Sequence, residues 1–157
     1  MIARDEARWL PDCLASARGV VDEIVVVDTG SRDDTPAIAR GFGARVVDHP
    51  WREDFADARN ESVKHATGAW VLVLDADERL PPGSGPTVEA AVREAGAIGV
   101  DCGLVSIHDA SSLEAHAADV IAGRARIGEP SLVPRLLRRT PDLRWRGVVH
   151  EDLADWV

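Results

Sequence analysis

The sequence predicts an α/β fold with a mostly parallel central sheet. Two short apolar runs, 24–27 and 70–74, are typical of strands buried on both faces of a parallel sheet. Segments with helical spacing alternate with such runs, which favours βαβ units with right-handed crossovers. A chain of 157 residues, 45% of them hydrophobic, can bury one sizeable core, so we expect a single domain over 1–157.

The first elements follow from apolar spacing and from residues that favour helix starts. Leu10 and Leu14 recur at helical spacing and predict a first helix that ends soon after them. The β-branched run 24–28 predicts the next strand. Thr35 followed by Pro36 is typical of a helix start, with the threonine as the N-cap.

The elements that follow continue the alternation of helix and strand. The helix that begins at Thr35 should end near Phe42, and a strand is predicted over 44–48. Residues 55–67 have helical character, and 70–74 is the strongest strand pattern in the chain. We therefore expect the strand over 70–74 to join the same parallel sheet.

The second half of the chain has weaker patterns. A Pro- and Gly-rich loop is predicted over 81–86, with a helix over 88–95 after it. An Ala-rich stretch, 111–123, separates two of the strand candidates. The candidate strands of this half are 100–107, 132–138 and 144–149.

Charge and cysteine content limit the classes of function. The net charge of −9 argues against general nucleic-acid binding, and a diphosphate ligand would need a metal ion or local arginines beside it. Cys13 and Cys102 have no paired spacing, which favours reduced thiols in a cytoplasmic protein. No run reaches the roughly 20 apolar residues of a membrane span, so we expect no transmembrane segment. Peripheral contact with the inner face of the membrane stays open.

Two of the predicted strands end in an aspartate, Asp28 and Asp75. Ligands of open α/β sheets bind outside the carboxyl ends of the strands, so we expect both side chains to face one crevice. Asp77 follows Asp75 by two residues, and in extended chain the two side chains can point the same way. Such a pair can hold Mg²⁺ or Mn²⁺ and leave positions open for water and phosphate oxygens. The alternative is a solvated acidic turn that only ends a strand.

Five motifs stand in a fixed order along nearly the whole chain. They are Asp28-Thr29-Gly30-Ser31-x-Asp33-x-Thr35, Trp51-x-x-Asp54-Phe55-Ala56-x-Ala58-Arg59-Asn60, Leu74-Asp75-Ala76-Asp77-Glu78, Pro134-Arg135-Leu136-Leu137-Arg138 and Trp145-x-Gly147-x-Val149-His150-Glu151. In this order they resemble the family 2 glycosyltransferases of GT-A fold, especially the bacterial branch that acts in envelope or peptide glycosylation. The resemblance implies a three-layer α/β/α sandwich of GT-A type.

The resemblance also implies a donor site and a metal site. Asp28 would contact the nucleoside, and Arg59 and Asn60 would help to hold the donor near the strand ends. Asp75 and Asp77 would form the DXD pair of the family, with Asp77 the more direct ligand of Mn²⁺ or Mg²⁺. A plainer alternative for Arg59 is an ion pair on the surface of its helix.

The implied reaction moves a sugar, with inversion, from a nucleotide-diphosphate donor to an acceptor glycan, lipid-linked sugar or peptide. Glu151 would be the catalytic base, with Asp152 as the nearby substitute. His150 would complete the metal's ligand set or contact the diphosphate. The plainer alternatives are a half-buried histidine beside a strand and a carboxylate that caps a helix.

The chain departs from the family pattern at its start. The family normally opens with a complete first strand, and here only residues 1–3 correspond to it. We therefore expect the domain to be incomplete at its N-terminus, with the C-terminus open to the same interpretation. A chain extended upstream is predicted to be more stable, because a short central strand leaves neighbouring backbone groups without partners.

Two other functions compete with this interpretation. A nucleotidyltransferase shares the layered sheet and the acidic metal site, but it usually has a Gly-rich, basic loop after the first strand, which 3–7 does not offer. A non-catalytic module of the same fold would bind nucleotide or glycan without turnover. Turnover with donor and acceptor discriminates the module from the enzyme.

Overall fold

The computed structural model of the chain describes residues 1–112 and 114–153, so the last four residues of the predicted domain lie outside the described part. In chain order the elements are β1 (Ile2–Ala3), α1 (Leu10–Ala17), β2 (Val25–Asp28), α2 (Thr35–Gly41), β3 (Arg45–Asp48), α3 (Phe55–His65), β4 (Trp70–Leu72), α4 (Ser84–Ile98), β5 (Cys102–Ile107), α5 (Ala117–Ile121), β6 (Ser131–Arg138), β7 (Trp145–Arg146) and β8 (Asp152–Leu153).

The first half of the chain forms a parallel sheet with the strand order β1-β2-β3. Val26 pairs with Val46, and Asp28 pairs with both Ala3 and Asp48, so the three strands end together. Val26 is fully buried, as a β-branched run covered on both faces requires. The predicted α/β fold is confirmed for this half.

Strand β4 takes its backbone partner from a second sheet of order β4-β6-β5, which is antiparallel. Val71 lies opposite Leu137, and the N–H of Val73 donates to the carbonyl of Arg135 at 2.7 Å. The expectation that this strand joins the parallel sheet is corrected within the described residues. Strand β1 is paired over only two residues, and β6 instead supplies a long partner for β4.

Two apolar clusters form the core, one under each sheet. The first contains Leu10 and Leu14 of α1 together with Val26 and Ala76, so the segment after β4 is anchored in the core of the parallel sheet. The second includes Leu137 of β6, and its other buried members are Ala56, Val73, Leu143 and Trp145. The residues after β4 therefore lie at the junction of the two cores.

The second half differs from its predicted bounds where burial is low. Helix α4 begins at Ser84, inside the predicted loop 81–86, because Pro86 falls in the first turn of the helix, where proline is tolerated. The candidate strand 144–149 is reduced to β7, because Gly147 turns the chain with a φ of 101°. Among the described residues, no helix is long and apolar enough to cross a membrane.

We predict that Leu14→Ala lowers the free energy of unfolding by about 3 kcal/mol, because it leaves a cavity in the first core. Leu14 is completely buried, whereas Leu132 on β6 is 66% exposed. Leu132→Ala is therefore the matched control and should change stability by less than about 0.5 kcal/mol. Urea denaturation of both variants measures the difference. Equal losses would show that the first cluster is not a packed core.

Candidate functional site

Asp28 lies at the carboxyl end of β2 and is buried. Its carboxylate accepts the backbone N–H groups of Gly30 at 3.2 Å and Ser31 at 3.1 Å, and it also accepts the Ser31 hydroxyl. The turn that follows the strand therefore holds the carboxylate in one orientation. A fixed acceptor at a strand end suits recognition of a polar ligand edge.

The loop after β1 is fastened to this turn by side chains. The N–H of Asp5 donates to the Ser31 hydroxyl at 3.0 Å, and the N–H of Arg32 donates to the Asp5 carboxylate at 2.6 Å. Thr35, predicted as an N-cap, lies inside α2, and Asp34 occupies the cap position. The Thr35 hydroxyl instead accepts the N–H of Glu6 at 2.7 Å, so its role is to join the two loops.

A cavity of about 400 Å³ opens beside Asp28. Arg4 and Arg32 from the two joined loops line it, together with Asp48 at the end of β3 and Trp51. It combines two cationic groups, three carboxylates (those of Asp28, Asp48 and Glu53) and one large aromatic ring. This combination can hold a flat molecule with hydrogen-bond donors.

Asp75 lies between two arginines. One carboxylate oxygen accepts the Arg59 guanidinium at 3.1 Å, and the other accepts the Arg135 guanidinium at 2.9 Å. Burial raises the pKa of Asp75, but the charges and hydrogen bonds of Arg59 and Arg135 outweigh it and hold that pKa below its usual value. Asp75 is therefore ionised at neutral pH.

The turn after Asp75 carries two further carboxylates. Glu78 accepts the N–H of Asp75 at 2.8 Å with one oxygen and the Arg135 guanidinium at 2.8 Å with the other. Burial is the largest cause that raises the pKa of Glu78, and the neighbouring charges of Asp75 and Asp77 add to it. Asp77 itself is exposed. The turn thus presents Asp77 to solvent while the two carboxylates beside it are tied to arginine.

A second cavity, of about 500 Å³, adjoins this acidic turn. Its lining includes Asp75, Asp77 and Arg135, together with the aliphatic side chains of Val105, Ile107 and Val120. The cavity is large enough for a sugar-sized molecule and offers it both charged and aliphatic groups.

Asp28 and Asp75 were expected to face one crevice, and the structure places them against two different cavities. Glu6 belongs to the loop after β1, and its N–H donates to the Thr35 hydroxyl at the start of α2. Burial is the largest cause that raises the pKa of Glu6, and the charges of Asp77 and Asp33 raise it further.

Glu151 lies far from Asp75 in the sequence but shares a partner with it. The Arg59 guanidinium donates to the Glu151 carboxylate as well as to Asp75. Asn60 donates to the carbonyl of Trp145 at 3.0 Å and accepts its N–H at 2.8 Å. Asn60 therefore holds the backbone of β7, and its contact with a donor stays a prediction.

His150 and Asp152 are both exposed. His150 has a φ of 56°, which turns the chain between β7 and β8, and Asp152 belongs to β8, where it pairs with Arg146. Within the described residues, no three His, Cys, Asp or Glu side chains form a group that could hold a metal ion. Asp75, Asp77 and His150 thus do not form such a group in the described part of the chain, and their role as metal ligands stays a prediction.

Sequence reasoning assigned no role to three arginines of this region. Arg135 binds both Asp75 and Glu78, and Arg4 and Arg32 line the cavity beside Asp28. One local signal was available for Arg135, a cation within an otherwise apolar strand. Arg4 and Arg32 carry no such signal, because their loops meet only in the tertiary structure.

Comparison with known proteins gives the site a context. The sequence model described as glycosyl transferase family 2 matches residues 1–149. A TPR repeat-containing protein of Synechococcus elongatus is 40% identical over 157 residues, which are 99% of this chain and 34% of that protein. An uncharacterized glycosyltransferase of Rickettsia felis is 36% identical over 80 residues, which are 51% of this chain and 28% of that protein. The chain thus spans about a third of the length of these relatives.

Solved structures share part of the fold. A crystal structure of S. aureus TarS 1–349 has a TM-score of 0.55 at 22% identity, over 64% of this chain and 32% of that one. TarS has also been solved in complex with UDP-GlcNAc. M. tuberculosis glucosyl-3-phosphoglycerate synthase has a TM-score of 0.50 at 26% identity, over 65% of this chain and 42% of that one.

We predict that Asp75→Asn lowers the free energy of unfolding at pH 6 by about 2 kcal/mol, because Arg59 and Arg135 lose their shared counter-charge. The folded pKa of Asp75 lies below its unfolded value, so its stabilisation is present above the unfolded pKa and is lost as pH falls through the folded pKa. The difference between the variant and the natural protein should therefore shrink between pH 6 and pH 3. Urea denaturation at both values measures it.

The control for this prediction is Asp101→Asn, because Asp101 forms an ion pair with Arg138 in which both side chains are 44% exposed. Its effect should stay below about 0.5 kcal/mol at either pH. A loss for Asp75→Asn that does not change with pH would contradict the role of its charge.

Proposed function

The chain belongs to glycosyl transferase family 2, and from that premise we propose that it moves a sugar from a nucleotide-diphosphate donor to an acceptor with inversion. One observation carries the proposal. The Arg59 guanidinium donates to Asp75, which lies three residues after the end of β4, and to Glu151 in the hairpin of β7 and β8. A donor-side carboxylate and a candidate base are therefore held at a fixed separation.

The donor's nucleoside is assigned to the cavity beside Asp28. The Asp28 carboxylate is already oriented by the turn of Gly30 and Ser31, so it can accept hydrogen bonds from a base or a ribose without a further ordering cost. Arg4 and Arg32 in the same cavity supply positive charge toward the diphosphate. Asp28, Asp48 and Glu53 line the same cavity, so the two arginines reduce the repulsion that a diphosphate would meet there and do not remove it.

The acidic turn fits a divalent cation by its charge. Arg59 pairs with Asp75 and Glu151, and Arg135 pairs with Asp75 and Glu78, so each guanidinium is shared between two carboxylates. Asp77 adds an exposed carboxylate to the same turn. Exposed Asp77 is the residue proposed to hold Mn²⁺ or Mg²⁺, with the donor's phosphate oxygens as further ligands.

The chemistry requires one base and one stabilised leaving group. The Glu151 carboxylate is proposed to take the proton of the acceptor's hydroxyl as that oxygen forms its bond to the anomeric carbon. The bond between that carbon and the diphosphate oxygen breaks, and its electron pair leaves with the diphosphate. A divalent cation at Asp77 would stabilise the charge of that leaving group. Single displacement of this kind inverts the anomeric centre.

We predict that Mn²⁺ tightens the binding of one nucleoside diphosphate by about tenfold or more, because the cation screens the acidic turn from the phosphates. Calorimetric titration of UDP, GDP and dTDP, with Mn²⁺ and then with EDTA, measures this. Asp77→Ala should abolish the effect of Mn²⁺. Asp22→Ala is the matched control, because Asp22 is exposed and precedes β2 at the end opposite Asp28.

The titration can fail in two distinct ways. Unchanged dependence on Mn²⁺ in Asp77→Ala would remove the metal assignment and leave the donor cavity intact. No binding of any of the three diphosphates to the natural protein would reject the donor site itself.

We predict that Glu151→Gln keeps the affinity for the donor nucleotide and lowers turnover by about 100-fold or more, because the amide cannot accept the proton. Release of nucleoside diphosphate from the matching nucleotide-glucose measures turnover without an identified acceptor. Asp152→Asn is the control and should retain turnover. The opposite pattern, with Asp152→Asn inactive and Glu151→Gln active, would move the base to Asp152.

A further inference from the structure

Helix α3 holds the hairpin of β7 and β8 by residues one turn apart. The N–H of Phe55 donates to the carbonyl of Val148 at 3.1 Å, and Asn60 makes two hydrogen bonds to the backbone of Trp145. Arg59 adds the contact with Glu151. Positions 55, 59 and 60 lie on neighbouring parts of one helix face, so α3 contacts the hairpin at three points.

The hairpin itself offers little to fix Glu151. Its ladder has two residue pairs, Trp145 with Leu153 and Arg146 with Asp152. Val149, two positions before Glu151, is 61% exposed. A two-stranded ribbon of this size is marginally stable without outside contacts. Trp145 and Leu153 anchor the open end of the hairpin in the second core, and the contact of Arg59 with Glu151 adds a hydrogen bond to the carboxylate itself.

Arg59 is the side chain that makes this contact. It is only 14% exposed, and Glu151 is 12% exposed. The Nε atom of Arg59 donates to Glu151 and an Nη atom donates to Asp75, so the planar guanidinium presents different N–H groups to two carboxylates. Without the guanidinium, the two carboxylates would repel each other across a partly buried site.

We infer that Arg59 is a positioning residue that fixes Glu151 relative to Asp75, rather than a group that binds the donor directly. The roles of Glu151 as base and Asp75 as donor-side carboxylate rest on the proposed function. The geometry rests only on the hydrogen bonds that Arg59 makes with them. If Arg59 turned toward a diphosphate, it would give up one or both carboxylates. Arg4 and Arg32 already line the cavity assigned to the nucleoside and supply charge there.

The test compares Arg59→Gln and Arg59→Lys with the natural protein. Hydrogen exchange of the amides of 145–153 should accelerate about tenfold or more in Arg59→Gln, because a charged hydrogen bond that holds the hairpin is lost. Arg59→Lys should restore part of the protection, since it keeps the charge without the planar fork. Affinity for the nucleoside diphosphate selected by titration should change less than about threefold in both variants.

Non-additive effects of the Arg59 and Asp75 variants on hydrogen exchange provide a second measurement, which general destabilisation of the fold would not reproduce. Asp75→Asn should also accelerate exchange of the hairpin, because it frees one side of the Arg59 guanidinium. In the Arg59→Gln background, Asp75→Asn should add nothing further. In turnover of the nucleotide-glucose, Arg59→Gln should lower kcat and leave the donor KM unchanged, and it should have no further effect when combined with Glu151→Gln.

The matched control is Arg138→Gln, an arginine of β6 whose partner Asp101 lies outside both cavities. It should leave hairpin exchange and nucleotide affinity unchanged. Thermal unfolding checks that each variant is folded. If Arg59→Gln does not fold, Arg59→Lys takes its place in the comparison.

Two results would overturn the inference. One is hairpin exchange that stays at the natural rate in the Arg59 variants. The other is a loss of nucleoside-diphosphate affinity of more than about tenfold, which would make Arg59 a donor ligand. A natural protein that binds no nucleotide would reject the proposed function, and the exchange result would still decide whether Arg59 fixes the hairpin.

Discussion

The guanidinium of Arg59 joins parts of the chain that are distant in sequence. It contacts Asp75, 16 positions later, and Glu151, 92 positions later, and all three side chains are mostly buried. A buried carboxylate without a counter-charge is costly, so the two acidic groups can lie close together only because an arginine separates them. The neighbouring Asn60 and Phe55 use the same helix to hold the hairpin backbone. Helix α3 therefore contacts both the acidic turn and the hairpin of the candidate catalytic centre.

Shared arginines hold the acidic turn in place. Arg135 supports the turn from β6, by binding Asp75 and Glu78 together. Arg59 binds the other oxygen of Asp75, and Asp77 remains exposed. In the proposed function, exposed Asp77 is the group that would hold a divalent cation.

The donor side is built in a different way, from backbone N–H groups and loops. Asp28 is held by its own turn, and the loop after β1 is fastened to that turn through Asp5 and Thr35. These hydrogen bonds lie near the carboxyl ends of β1, β2 and β3, which are in register with one another.

Sequence alone determined the alternation of strands and helices in the first half and the placement of Asp28 at a strand end. Apolar period is a local property, so it can be predicted without tertiary contacts. The strand predicted over 70–74 ends at Leu72, three residues before Asp75. The start of α4 was missed because Gly85 and Pro86, which are typical of loops, lie in its first turn. Only the tertiary structure decided that β4 pairs with an antiparallel strand and that the site has two separate cavities. It also decided the hydrogen bonds of Asn60 with Trp145 and those of Arg59 and Arg135 with Asp75. The physical reason is that most of these contacts join residues about 60 to 90 positions apart, and no local pattern states which distant partner a charged or amide side chain will meet.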